Sequence, residues 1–162
     1  MIEYCLTAVI LCLVIVLSYE RCLQAAFTYG RITSDLELYR AERAAFSLVR
    51  QEICFYAETV ELQEDGAGNP VIVCQEPAPR RKVTYYTQSQ GAANNVLYQK
   101  TKVEGKNAGI NPLTPPDVTV TAWYVRKMTG NGLLIGIVLK EKKTGREKEF
   151  VEAVELGNGK VI

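Results

Sequence analysis

The sequence predicts an α+β fold, in which one long N-terminal helix packs on a mainly antiparallel β-sheet head. Three observations predict it. No proline occurs from Met1 to Cys54, and good helix formers dominate that stretch. Within it, Tyr4 to Tyr19 carries no charge and is mostly Leu, Val, Ile, Ala and Cys. Beyond Tyr56 the apolar period drops from three or four to two, and glycine- and proline-rich turns separate the runs.

The apolar run comes first. Its uncharged residues fall somewhat short of the ~20 of a bilayer span and exceed the ~7–15 of a cleaved signal core. The front, Met1-Ile2-Glu3, has no Lys or Arg, and Ser18-Tyr19-Glu20-Arg21-Cys22 is a poor cleavage site. The segment therefore reads as a membrane helix, with residues 1–24 as its transmembrane half and 25–162 as an extracytoplasmic domain. Glu3 stands out, because a carboxylate at the lip of an apolar helix is costly without a partner. It reads either as an interfacial charge among headgroups or as a residue awaiting a cation from another chain.

The helix continues past the membrane. Ala25, Tyr29, Ile32, Leu36, Tyr39, Phe46, Val49, Ile53 and Tyr56 fall mostly three and four apart, which predicts one apolar stripe facing a sheet. Arg31, Asp35, Glu42, Arg43 and Gln51 take the other side, and Gly30 is a point where a bend is allowed. A helix from Glu3 to Tyr56 is roughly 80 Å long at ~1.5 Å per residue.

Strands follow. Thr59–Gln63 and Val71–Cys74 flank the turn cluster Glu64–Pro70 as a hairpin. Lys82–Thr87, Asn95–Lys100 and the β-branched, aromatic run Val118–Val125 are further strands. Leu133–Lys140 and Glu149–Leu156 close a last hairpin around Lys143–Arg146. Gly105–Pro116, with Pro112, Pro115 and Pro116, reads as a long connecting loop.

Composition bears on function. The chain has 162 residues, enough for one modest core, and a net charge of +1. Near-neutral charge argues against a dedicated nucleic-acid binder. The absence of histidine excludes Ser-His hydrolases, His-based acid–base sites and nearly every zinc or iron enzyme. No nucleophile with its base is visible, so a non-enzymatic role with no cofactor and no metal is expected.

The singled-out residues each have an ordinary reading. Cys5 and Cys12 are small buried hydrophobes in the apolar helix. Cys54 and Cys74 could form a disulfide in an oxidising compartment, worth ~3 kcal/mol by chain entropy. Asp65-Gly66-Ala67-Gly68-Asn69 partly resembles a calcium loop, but too few carboxylates surround it and a hairpin turn is expected. Arg80-Arg81-Lys82, after Pro77 and Pro79, reads as a solvated loop, since no aromatic platform interleaves with it for phosphate binding. Asp35, Glu37, Glu42 and Arg43 are surface charges available for exposed ion pairs of ~0–1 kcal/mol.

Ile2-Glu3 before a long Leu/Val/Ile run resembles the mature start of type IV pilins and type II secretion pseudopilins, with Met1 in the aliphatic place. The order of a tyrosine-rich strand, Asn95-Val96-Leu97-Tyr98-Gln99-Lys100, a loop and Asp117–Tyr124 is similar to the larger, J-type minor pseudopilins and their pilus counterparts. Leu97-Tyr98-Gln99-Lys100 departs from their Leu-Tyr-Arg form, and Asp117 stands where they carry glycine. The Gly-Phe-Thr junction before the glutamate is missing, so either the native start lies upstream or this is a divergent relative. The resemblance implies a minor pilin or pseudopilin of the inner membrane that helps initiate or cap a filament for pilus, secretion or DNA-uptake machinery. It implies that Glu3 pairs with a neighbouring subunit's N-terminal amine. Its partners would be other pilin subunits, a prepilin peptidase acting on the full precursor, and nucleic acid only if the machine takes up DNA. The alternative is a single-pass anchored binding or adaptor domain that never polymerises.

Mass spectrometry of the native N-terminus separates the two. The pilin reading expects a mature end a residue or two before Met1, with a methylated phenylalanine. An unprocessed end at Met1 makes Glu3 an interfacial charge and favours the anchored domain.

Overall fold

Residues 2–51 form one unbroken helix, α1 (Ile2–Gln51), which passes through Gly30 without interruption. A computed structural model describes residues 1–77, 80–90, 95–157 and 159–162; Pro79, beside the expected basic loop, lies outside them. The chain divides into two compact units, Met1–Leu36 and Glu37–Ile162.

The first unit is helix alone. Its residues 1–33 are exposed throughout, and the window with mean hydropathy 2.2 has none of its surface covered. By length and composition the helix can cross a membrane, as a signal sequence also could.

In the second unit α1 gives way to a π-helical turn, Glu52–Tyr56, closed by the Ala57 N–H donating to the Glu52 carbonyl at 2.9 Å. Ala57 is extended and leads into the sheets. The strands are β1 (Thr59–Glu64), β2 (Pro70–Glu76), β3 (Arg81–Ser89), β4 (Asn95–Val103), β5 (Gly109–Pro112), β6 (Val118–Lys127), β7 (Gly132–Glu141), β8 (Glu147–Glu155) and β9 (Lys160–Val161). They form a six-stranded mixed sheet ordered β5-β4-β3-β2-β1-β9 and a three-stranded antiparallel sheet ordered β6-β7-β8. The parallel pair is β1–β9.

The helix stripe differs from the expected one. Phe46, Val49 and Ile53 are buried as anticipated, but Ile32, Leu36 and Tyr39 stay about half exposed and Tyr29 more so. The buried face runs instead through Leu38, Ala41, Ala45, Phe46, Val49 and Ile53. Ala41 and Ala45 stand among Leu38, Phe46 and Ile53 on that face, so small and large side chains are mixed along it. Tyr39 instead meets Phe150 edge-on at 5.6 Å, and Lys148 Nζ sits 4.0 Å over its ring.

The two sheets share one core. From the first come Val60, Ile72, Cys74, Val83, Tyr85 and Leu97; from the second Leu133, Ile135, Ile137, Leu139 and Val154. A bulge between Val120 and Ala122 resets the alternation of β6, so that Val118 and Val120 face inward before it and Trp123 after it. Trp123 Nε1 then donates to the Pro70 carbonyl at 3.0 Å, tying β6 to β2.

Two strands escape the sequence reading. Gly109–Pro112, expected as loop, pairs with β4 as the edge strand β5, where a terminal proline is tolerated. β9 has only two residues and lies along β1, with the Ile162 N–H donating to Val60 O at 2.9 Å. Gly159 makes that approach possible: a Cβ there would lie 2.4 Å from the Glu58 carbonyl oxygen and 2.9 Å from that of Ala57. The obstacle is backbone, which cannot swing aside. Gly159→Ala is therefore expected to destabilise the fold by ~1–3 kcal/mol. A thermal melt should show the midpoint lowered by roughly 5 °C, and an unchanged midpoint would refute the close approach.

Candidate functional site: an apolar helical segment and a buried carboxylate pair

The apolar segment of α1 is the first candidate. Around its circumference Leu6, Val9, Ile10, Leu13, Val14, Ile15, Val16 and Leu17 are all more than half exposed. Ala8, Val9, Cys12, Leu13 and Val16 line a shallow, wholly apolar groove of about 350 Å³. An exposed apolar surface of this kind marks an interaction site, and its length and composition are compatible with a membrane span or a signal sequence. Cys5, Cys12 and Cys22 lie exposed on this helix, among its other apolar side chains.

Glu3 occupies the first turn of α1, fully in the open. Thr7 Oγ1 donates to its backbone carbonyl at 2.8 Å. Among the described residues its carboxylate forms no ion pair, so it is free to meet a cation from outside.

The second candidate was not expected as a site. Glu52 lies on the buried face of the helix, three residues after Val49, and is 4% exposed. Its Oε2 accepts from Arg81 Nη2 at 3.2 Å. Arg81 Nη1 donates to Glu76. One guanidinium thus serves two carboxylates, one from the π-helical turn and one from β2. Glu52 Oε1 is buried with no hydrogen-bond partner. Burial, together with a hydrogen bond to Glu76, pushes the Glu52 carboxyl up to about 7, against the pull of Arg81. The sequence signal was a carboxylate within an apolar stripe.

This pairing corrects the reading of Arg80-Arg81-Lys82 as solvated loop. Arg81 and Lys82 open β3, and Arg81 is half-buried because two carboxylates hold it. Arg80 precedes the strand with its side chain exposed, 3.6 Å from Glu104, and Lys82 is exposed on the strand.

Cys54 and Cys74 both carry free thiols. Cys54 sits half-buried in the π-helical turn and Cys74 buried in β2, at one core. Burial pushes both thiols up, Cys74 far beyond the usual range. The Asp65 loop is a hairpin turn: Asp65 Oδ1 accepts from the Ala67 and Asn69 N–H groups at 2.8 Å, Oδ2 accepts from Asn69 Nδ2 at 2.9 Å, and Gly68 takes φ +79°. Of the helix charges, Glu37 pairs with Arg40 at 2.9 Å, while Glu42 is half-buried and its carboxyl is raised by burial and by Glu152.

Because the folded Glu52 carboxyl titrates above its ordinary value of 4.5, the folded state binds the extra proton between pH 4.5 and about 7. Its contribution is full below pH 4.5 and is lost as pH rises through 7. Melts at pH 5 and pH 8 should therefore differ more for the wild type than for Glu52→Gln, with the variant gaining relative stability at pH 8. Equal pH dependence would show that Glu52 titrates normally.

Set beside known protein families, curated proteins and solved structures, the chain matches none of them, so it is the architecture itself, a long apolar N-terminal helix packed on antiparallel sheet, that is pilin-like.

Proposed function

We propose that this protein is a subunit of a type IV pilus-like filament, a minor pilin or pseudopilin that helps initiate or cap it and performs no catalysis. One observation supports this best. A helix segment exposed and apolar on every side continues without a break into a helix half packed on sheets. The first half needs lipid before assembly and neighbouring helices after it; the second half needs only its own domain.

In this reading the helix anchors the subunit in the inner membrane and the sheet domain lies outside the cytoplasm. Other pilin or pseudopilin subunits are the partners, and a prepilin peptidase acts on the full precursor. Glu3 supplies register. Surrounded by apolar helices, its carboxylate is tolerated only when paired, and a neighbour's N-terminal amine is the cation at the matching depth. A subunit displaced along the filament axis would leave both charges unpaired.

Glu3→Ala is expected to deplete the subunit from sheared filaments by about two to four orders of magnitude, the consequence of the ~3–5 kcal/mol for breaking a buried pair. The melt of the sheet domain should not change. Normal incorporation of the variant would remove the role assigned to Glu3. Extraction of the wild-type protein from membranes solely as a monomer, with none in filaments, would favour the anchored binding domain.

A further inference from the structure

The outer face of the six-stranded sheet carries charges that the fold does not use. In the antiparallel register of β3 and β4, Lys82 lies directly opposite Lys102 and Thr84 opposite Lys100. Successive same-face residues along a strand are ~6.6–6.8 Å apart and neighbouring strands ~4.8 Å apart, so three ammonium groups share one small area. Like charges directly opposite are unfavourable in a sheet. Among the described residues none of the three lysines forms an ion pair. The three lysines line a concavity of about 480 Å³, together with Val71, Thr84, Tyr86 and Asp65. Tyr86 is braced from its β4 side by Tyr98, stacked at 5.8 Å and 23°.

We propose that this concavity binds an anionic saccharide, through Lys82, Lys100 and Lys102 to its carboxylate or sulfate groups, Tyr86 to its apolar face, and Asp65 and Thr84 to its hydroxyls. The volume fits one or two sugar rings. Cations and an aromatic wall alone would suit single-stranded nucleic acid equally well. Two features favour the saccharide. Asp65 places a carboxylate in the lining, held ionised by its hydrogen bonds from Asn69 and Ala67, and it accepts from hydroxyls, in which a saccharide is rich and a deoxynucleotide backbone is poor. Tyr98 is buried behind Tyr86, so the face offers one ring and not a series on which successive bases could stack. Only the register reveals the site: in the sequence, Lys82 and Tyr86 stand apart from Lys100 and Lys102 and no aromatic adjoins the basic run. The proposal does not depend on filament assembly.

The test is calorimetric titration of the full-length chain in nonionic detergent micelles. The probes are a hexamer of galacturonate, a heparin-derived hexasaccharide, maltohexaose, and an oligothymidylate of matched charge. At least one anionic saccharide should bind, at least about tenfold more tightly than maltohexaose and the oligothymidylate. Lys100→Gln with Lys102→Gln should weaken that binding by about tenfold or more. Tyr86→Leu should weaken it by about two- to tenfold and Tyr86→Phe should not. Lys143→Gln, on the β7–β8 turn, should leave it unchanged. No binding by either anionic saccharide overturns the proposal. So does equal binding of the oligothymidylate, which would indicate undirected electrostatics, or wild-type affinity in the double lysine variant. Thermal melts of each variant separate lost binding from lost folding, and the double lysine variant keeps the proposal falsifiable if Tyr86→Leu unfolds.

Discussion

The apolar surface of the first half of α1 governs everything else about this protein. Each large aliphatic side chain taken out of water contributes ~1.5–3 kcal/mol, and this segment presents them on all sides of a helix. No arrangement of such a segment is stable in water by itself. Its apolar surroundings must be supplied from outside the chain. The second half of the same helix is built on the opposite principle, with Ala41 and Ala45 buried against sheets that belong to its own chain. One continuous element thus carries two incompatible demands, separated along its length and not around its circumference.

Where α1 ends, polar chemistry takes over from packing. The π-helical turn brings Glu52 and Ile53 inward together. Ile53 completes the core, while Glu52 reaches Arg81 at the start of β3, which in turn reaches Glu76 at the end of β2. The junction of helix and sheet is therefore fixed by a shared guanidinium, and an odd number of charges meets there. Replacing the whole group with apolar side chains of similar volume is expected to be neutral, whereas removing Arg81 alone would strand two carboxylates, one of them buried.

What the sequence showed and what it concealed follow from the range of the interactions involved. The helix, its apolar segment and the strands with clean alternation were legible because period and turn chemistry are local properties. β5 was hidden because Gly109 and Pro112 look like loop residues, and only the neighbouring strand makes four residues a strand. The true buried stripe was hidden because a search for large apolar residues passes over alanines. Glu3 could be noticed directly as a charge in an apolar context. Glu52 carried the same signal more faintly, and its meaning depended on Arg81 and Glu76, which approach from other elements. The lysine face was illegible for a related reason: strand register, not sequence distance, sets which side chains share a surface.

The pairing of β1 with β9 imposes an order in time. Thr59 lies against Lys160, so β1 leaves the ribosome about a hundred residues before its parallel neighbour. At ~5–20 residues per second that interval lasts roughly 5–20 s. During it, the hairpin of β1 and β2 has one open margin, with backbone donors and acceptors set out for any passing strand. A protein whose first segment is already seeking an apolar environment therefore spends those seconds with a second, hydrogen-bonding vulnerability.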